Sequence, residues 1–84
     1  MPERAKEFLV PSPSAAEVTP SDSEDLPDGT CRAVYIGAAG NVKVDMHSGD
    51  TVTFVGAAAG SILAIQVKRV YSTGTTATSI VALY

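Results

Sequence analysis

The chain has no tryptophan, one cysteine and one histidine among its 84 residues. With Cys31 alone, no intrachain disulfide can form, and no Cys/His set exists to hold a structural zinc. No apolar run approaches the roughly 18 residues of a membrane-spanning helix. Residues 1–6 lead only into Phe8-Leu9-Val10, too short for the apolar stretch of a secretion signal. A soluble protein compatible with a reducing cytosol is expected, with no membrane partner. Proline is absent after Pro27 and glycine is absent before Gly29. That split divides the chain into an arm, residues 1–28, and a body, residues 29–84.

Charge divides at the same place. The arm holds seven acids against two bases, net −5, and the body two acids against four bases, net +2. A charged tail on a globular body has this asymmetry. The body's excess is too weak for a nucleic-acid footprint, so no nucleic-acid partner is expected. A body of 56 residues is near the lower limit for independent folding. Without disulfide or metal, oligomerisation or docking on a larger surface is the remaining route to enough buried area.

The arm shows no sustained helical or strand period. Pro11, Pro13, Pro20 and Pro27 keep their predecessors extended, and one helical turn fits residues 2–8. Composition alone reads as a disordered acidic tail. Phe8-Leu9-Val10, an apolar plug with no intrachain partner, argues instead for a tie to neighbours. At about 3.1 Å per residue such an arm reaches on the order of 80 Å.

The body reads as five strands. Residues 30–36 (TCRAVYI) form the first, ended by a Gly37–Gly40 turn. Residues 41–46 alternate, with Val42, Val44 and Met46 on one face and Lys43 and Asp45 on the other. A hairpin loop over 47–50 leads into 51–55, whose Val52 and Phe54 share the face of Val42 and Val44. Residues 56–60 connect to the longest run, 62–71, and residues 79–84 complete the set. The expected fold is all-β: a small five-stranded antiparallel barrel or sandwich with an extended N-terminal arm. Residues 62–71 are apolar on both faces, with Leu63, Ile65 and Val67 on one and Ile62, Ala64 and Val70 on the other. A strand covered on both sides in so small a body predicts a second surface. The subunit contacts are therefore expected at Ile62, Leu63, Ile65, Val67, Val70, Ile80, Leu83 and Tyr84. The apolar ending Ala82-Leu83-Tyr84 predicts a packed terminus.

Candidate chemistry is sparse. His47, Ser48 and Asp50 share one hairpin loop and cannot converge as a triad. Cys31 lacks a recognisable base and reads as a small buried hydrophobe. The glycine-rich stretches 37–41 and 56–60 lack the Gly-Lys-Ser/Thr and the following helix of a phosphate loop. Asp22, Glu24, Asp25 and Asp28 do not have calcium-loop spacing, and a charged strap on a basic partner surface fits them better. Lys68-Arg69 read as neighbours pointing to opposite faces. No catalytic residue, cofactor or metal site is expected. A small-ligand-binding domain is the alternative of another class, and so small a body leaves little interior for a pocket.

The wording of the chain carries a resemblance. Thr19-Pro20-Ser21-Asp22-Ser23, Asp25-Leu26-Pro27, the run 32–37 (RAVYIG), 39–42 (AGNV), 51–54 (TVTF), 59–63 (AGSIL) and the ending KRV…TGTTATSIVALY resemble a family of short virion proteins. These are the head-spike base proteins of gene transfer agents and their relatives in tailed phages and prophages. The similarity spans residues 19–84, and its most specific part is the ending. It implies a non-enzymatic structural protein, made in the host cytoplasm and displayed on the outer surface of an icosahedral head. Its role would be decoration or cement, or a vertex spike base or head–tail adaptor carrying a fibre. The implied partners are the major capsid protein, a spike or fibre protein, and further copies in a trimer or pentamer. Phe8, Leu9 and Val10 would then seat the arm in an apolar capsid pocket. Asp22, Glu24 and Asp25 would lie against basic capsid side chains.

Overall fold

A computed structural model describes residues 13–84. Seven strands make two antiparallel sheets that pack face to face. They are β1 (Ala15–Glu17), β2 (Ala33–Ala38), β3 (Gly40–Met46), β4 (Thr51–Ala57), β5 (Ser61–Leu63), β6 (Val67–Val70) and β7 (Thr78–Leu83). One sheet runs β1-β7-β2-β5 and the other β4-β3-β6. The fold is thus all-β and an open sandwich, not a closed barrel.

Period-two alternation builds the interior. Val34 and Ile36 pair with Ala82 and Ile80 on the inner face of the four-stranded sheet. Val42, Val44, Val67 and Val70 meet them from the other sheet, each almost wholly buried. Val42 pairs with Phe54 and Val44 with Val52, as the alternation predicts. Two bulges shift the phase where strict alternation fails. In β6 the register steps from Met46↔Val67 to Asp45↔Arg69, so Lys68 is an extra residue and Val67 and Val70, three apart, both face inward. In β4 the extra residue falls near Gly56 (φ +72°), whose N–H donates to Asn41 Oδ1 at 3.0 Å.

The expected long strand over 62–71 does not exist. It is two short strands in different sheets, β5 and β6, joined by residues 64–66, which cross from one sheet to the other. The run carries apolar residues at both parities because it changes sheets, not because a second molecule must cover it. The Gly37–Gly40 turn is likewise a strand corner: β2 continues to Ala38 and β3 begins at Gly40. A Cβ on Gly37 would sit 2.5 Å from Ser79 Cβ and O, and one on Gly40 2.5 Å from Ala77 N. The glycines are there for close approach to the start of β7. The first strand begins at Ala33, because Cys31 N still bonds Val67 O while Arg32 N bonds Leu83 O. The chain passes between sheets over those two residues.

Residues 13–28 lie on the body. β1 extends the four-stranded sheet, with Ala15, Ala16 and Glu17 opposite Leu83, Ala82 and Val81. The following strap lies along the edge of β6, through Ser21 N to Val70 O and Leu26 N to Lys68 O. Val18 and Leu26 are each 8% exposed and belong to the core. The packed unit therefore starts well before Gly29. Tyr84 is half-buried and its N–H donates to Ser14 O at 2.9 Å, so the ending is packed as expected.

Candidate interaction surfaces

Asp22 and Asp25 of the strap face their own chain. Asp22 Oδ1 accepts from Ser72 N (2.9 Å) and Thr73 N (2.8 Å), and its Oδ2 accepts from the Thr73 hydroxyl (2.5 Å). Asp25 Oδ1 accepts from Arg69 Nε at 2.9 Å. Glu24 N donates to Ser21 Oγ at 3.1 Å. Asp22 and Asp25, expected on a partner's basic side chains, are thus engaged within the chain, and they fasten the strap across β6.

Beside them, Asp45 is almost buried on the outer side of the three-stranded sheet. Its Oδ1 accepts from Thr51 Oγ1 (2.6 Å) and its Oδ2 from the Tyr71 hydroxyl (2.9 Å). Lys43 Nζ lies 4.9 Å and Arg69 Cζ 5.8 Å from the Tyr71 ring centroid, so the aromatic ring gathers two cations. The Thr73 hydroxyl holds the Asp22 carboxyl below its usual range, with the Thr73 and Ser72 amides adding to it against partial desolvation. The Thr51 hydroxyl does the same for Asp45, opposed by desolvation and aided by Tyr71. Both carboxyls are more acidic folded than unfolded. Their stabilisation is therefore full above the unfolded value near ~3.9 and is lost as pH falls through the folded values. The melting temperature is expected to hold down to about pH 5 and to drop below about pH 4. Asp22→Asn should flatten part of that drop; a melting temperature that rises on acidification would contradict the assignment.

No catalytic constellation forms among the described residues. His47 Nδ1 turns to Thr30 Oγ1 at 3.2 Å, while Ser48 Oγ donates to Asp50 Oδ2 at 3.2 Å, so the loop's three polar groups do not converge. Burial pushes the Cys31 thiol up, away from the thiolate form a nucleophile needs. An open depression of about 310 Å³ at this end of the sandwich is lined by Thr30, Cys31, Arg32, His47, Gln66 and Tyr84. Burial raises the Tyr84 hydroxyl as well, so it too stays protonated near neutrality. Among the described residues no three His, Cys, Asp or Glu side chains gather as metal ligands.

The expected subunit contacts fall into three groups. Val67, Val70 and Ile80 are interior, each at most 2% exposed, so they hold the two sheets together and cannot reach another chain. Leu63, Ile65 and Tyr84 are partly buried against that same core. Ile62 (60% exposed) and Leu83 lie on the outer face of the four-stranded sheet. Phe8, Leu9 and Val10 lie outside the described residues.

That outer face is the main surface that sequence reading missed. The register lines up Ala15, Leu83 and Ala33 in one row and Glu17, Val81, Tyr35 and Ile62 in the next. Only Glu17 is charged. The signal was present in residues 33–38 (AVYIGA), which are apolar at both parities, so the strand has an oily side left over after filling the core.

The chain resembles a solved capsid component. It matches a chain in the structure "Capsid of native GTA particle computed with C5 symmetry" at 38% identity and TM-score 0.78, covering 88% of this chain and 84% of that one. This is a capsid-related protein of the gene transfer agent and phage kind. Likeness at that identity over most of both chains carries more than a shared fold, and it supports a virion structural protein associated with capsid proteins in a particle. No family model matches the sequence, and no curated protein does.

Proposed function

We propose that this virion protein decorates or cements the outside of the icosahedral head of a tailed phage or gene transfer agent, without enzymatic activity. The observation that carries the reading is the extended likeness to the GTA capsid chain. The physical features agree with it. Asp22 and Asp25 of the strap are satisfied internally, the interior is apolar, and one sheet exposes a nearly uncharged face. In this reading the outer face around Tyr35, Ile62, Val81 and Leu83 sits against the major capsid protein. Residues 1–12, with Phe8, Leu9 and Val10, extend the attachment into an apolar pocket of the shell. The contact repeats over many copies, so small gains per copy add up to a stronger shell.

A second reading, in keeping with a neighbour whose capsid was computed with C5 symmetry, is a spike base at the fivefold vertices that carries a fibre. The experiment for both is to prepare particles with and without the protein. Cement predicts that particles lacking it burst at lower temperature and lower salt, and that re-added protein restores them. A vertex base predicts unchanged bursting, density lost only at the vertices, and loss of the fibre. Particles that lack the protein and differ in neither respect would end both readings.

A further inference from the structure

Four strand edges bound the two sheets, and three are blunted. β1 has three residues between Pro13 and Pro20. β5 has three residues, after which the chain leaves for the other sheet. The edge of β6 is occupied by the strap at the Val70 and Lys68 carbonyls and by Cys31 N–H at the Val67 carbonyl. β4 differs: it has seven residues (TVTFVGA), no charge and no proline, and no described segment runs alongside it. Long, uncharged edges are what soluble proteins ordinarily avoid, because they template pairing with another strand, and the bulge near Gly56 falls at the end of the 51–55 stretch.

The direction of the free groups follows from the ladder. Met46 N donates to Asp50 O at 2.7 Å, so that pair is hydrogen-bonded, and Val44↔Val52 and Val42↔Phe54 follow at every second residue. Lys43 bears this out, since its carbonyl accepts from Tyr71 N and its N–H donates to Thr75 Oγ1, both away from β4. Thr51 and Thr53, opposite Asp45 and Lys43, therefore turn their N–H and C=O groups outward. Val55 turns the same way, because Gly56 N donates toward β3 at Asn41 Oδ1 and the Val55 carbonyl of that peptide points away, as its N–H does opposite the Phe54 carbonyl.

We propose that this edge pairs antiparallel with the same edge of a second copy, on a twofold axis at Thr53. In that register Thr51 lies opposite Val55 of the second copy, and Thr53 lies opposite its own counterpart. Every outward-facing residue meets another outward-facing one, so about six new backbone bonds form. A slip of one residue would set outward groups against ones already bonded to β3, and the ladder would be lost. The side chains fit the same register. Val52 comes opposite Phe54, a β-branched residue against an aromatic one, and threonine meets threonine at the axis. Val55, 78% exposed, and Val52, 37% exposed, gain cover. With no charge on the strand, nothing repels, and two three-stranded sheets become one of six strands. The pairing goes beyond the decoration role and does not depend on it.

The test uses the full chain. Light scattering after size exclusion should give twice 8.6 kDa at high concentration, falling toward one chain on dilution. Thr53→Lys sets like charges face to face at the axis and should halve the mass, with dissociation at least about tenfold stronger. Thr53→Cys places two thiols on residues about 5.5 Å apart, within disulfide range, and mild oxidation should give a covalent dimer. Cys31 is buried and gives no background, and Ala39→Cys, at an exposed corner, should not cross-link. A mass of one chain at every concentration overturns the proposal. So does an oligomer that Thr53→Lys leaves intact, or a dimer whose Thr53→Cys form does not cross-link.

Discussion

A fragment of residues 29–84 is expected not to fold, while residues 13–84 should fold as the full chain does. The strap contributes Val18 and Leu26 to the core, and burying each is worth about 1.5–3 kcal/mol. It also supplies β1 as a partner for β7, and it covers the β6 carbonyls. A chain of this size has a net stability of roughly 4–13 kcal/mol, so losing two core side chains and a strand removes most of it. Circular dichroism and amide dispersion in NMR check this directly: a cooperative melting transition in the 29–84 fragment would refute it. The intermediate variant Leu26→Ala, which leaves a cavity without removing the strap, should lower stability by about 2–5 kcal/mol.

The second large effect concerns the outer face of the four-stranded sheet. Tyr35→Lys together with Val81→Lys should abolish recovery of the protein on particles, with affinity falling at least about a hundredfold. The two residues are cross-strand partners at the middle of the apolar face. Each substitution removes apolar contact and asks the interface to bury an unpaired charge, and central interface residues of this kind cost more than ~2 kcal/mol each. Neither side chain is part of the core, so the melting temperature should fall only by what two like charges on opposite strands cost, about 1 kcal/mol or less. Ala58→Lys, exposed at the turn between β4 and β5, should leave particle binding intact. Co-sedimentation of purified protein with particles lacking it gives the answer. Full binding by the double variant would remove this face from the attachment and leave residues 1–12 as the remaining route.

Local pattern alone determined much of this molecule. Alternation in 41–46 and 51–55 specified a hairpin with Val42, Val44, Val52 and Phe54 on one face, because side chains on a strand alternate whatever surrounds them. The resemblance carried by the C-terminal wording pointed toward capsid proteins, and the structural likeness bears out that broad relation.

Tertiary structure decided the remainder, for reasons no window of sequence contains. Residues 62–71 change sheets at 64–66, and an apolar run reads the same whether it is one strand or a crossing between two. The bulge at Lys68 turns Val67 and Val70 to the same side, which strict alternation forbids, and so moves them from the expected interface to the interior. Asp22 of the strap met donors about 50 residues away, at Ser72 and Thr73, and Asp25 met Arg69. Pairing over such separations depends on where the strands lie in space. That placement buried the expected contact residues, and it left exposed the outer face around Tyr35 and the edge of β4.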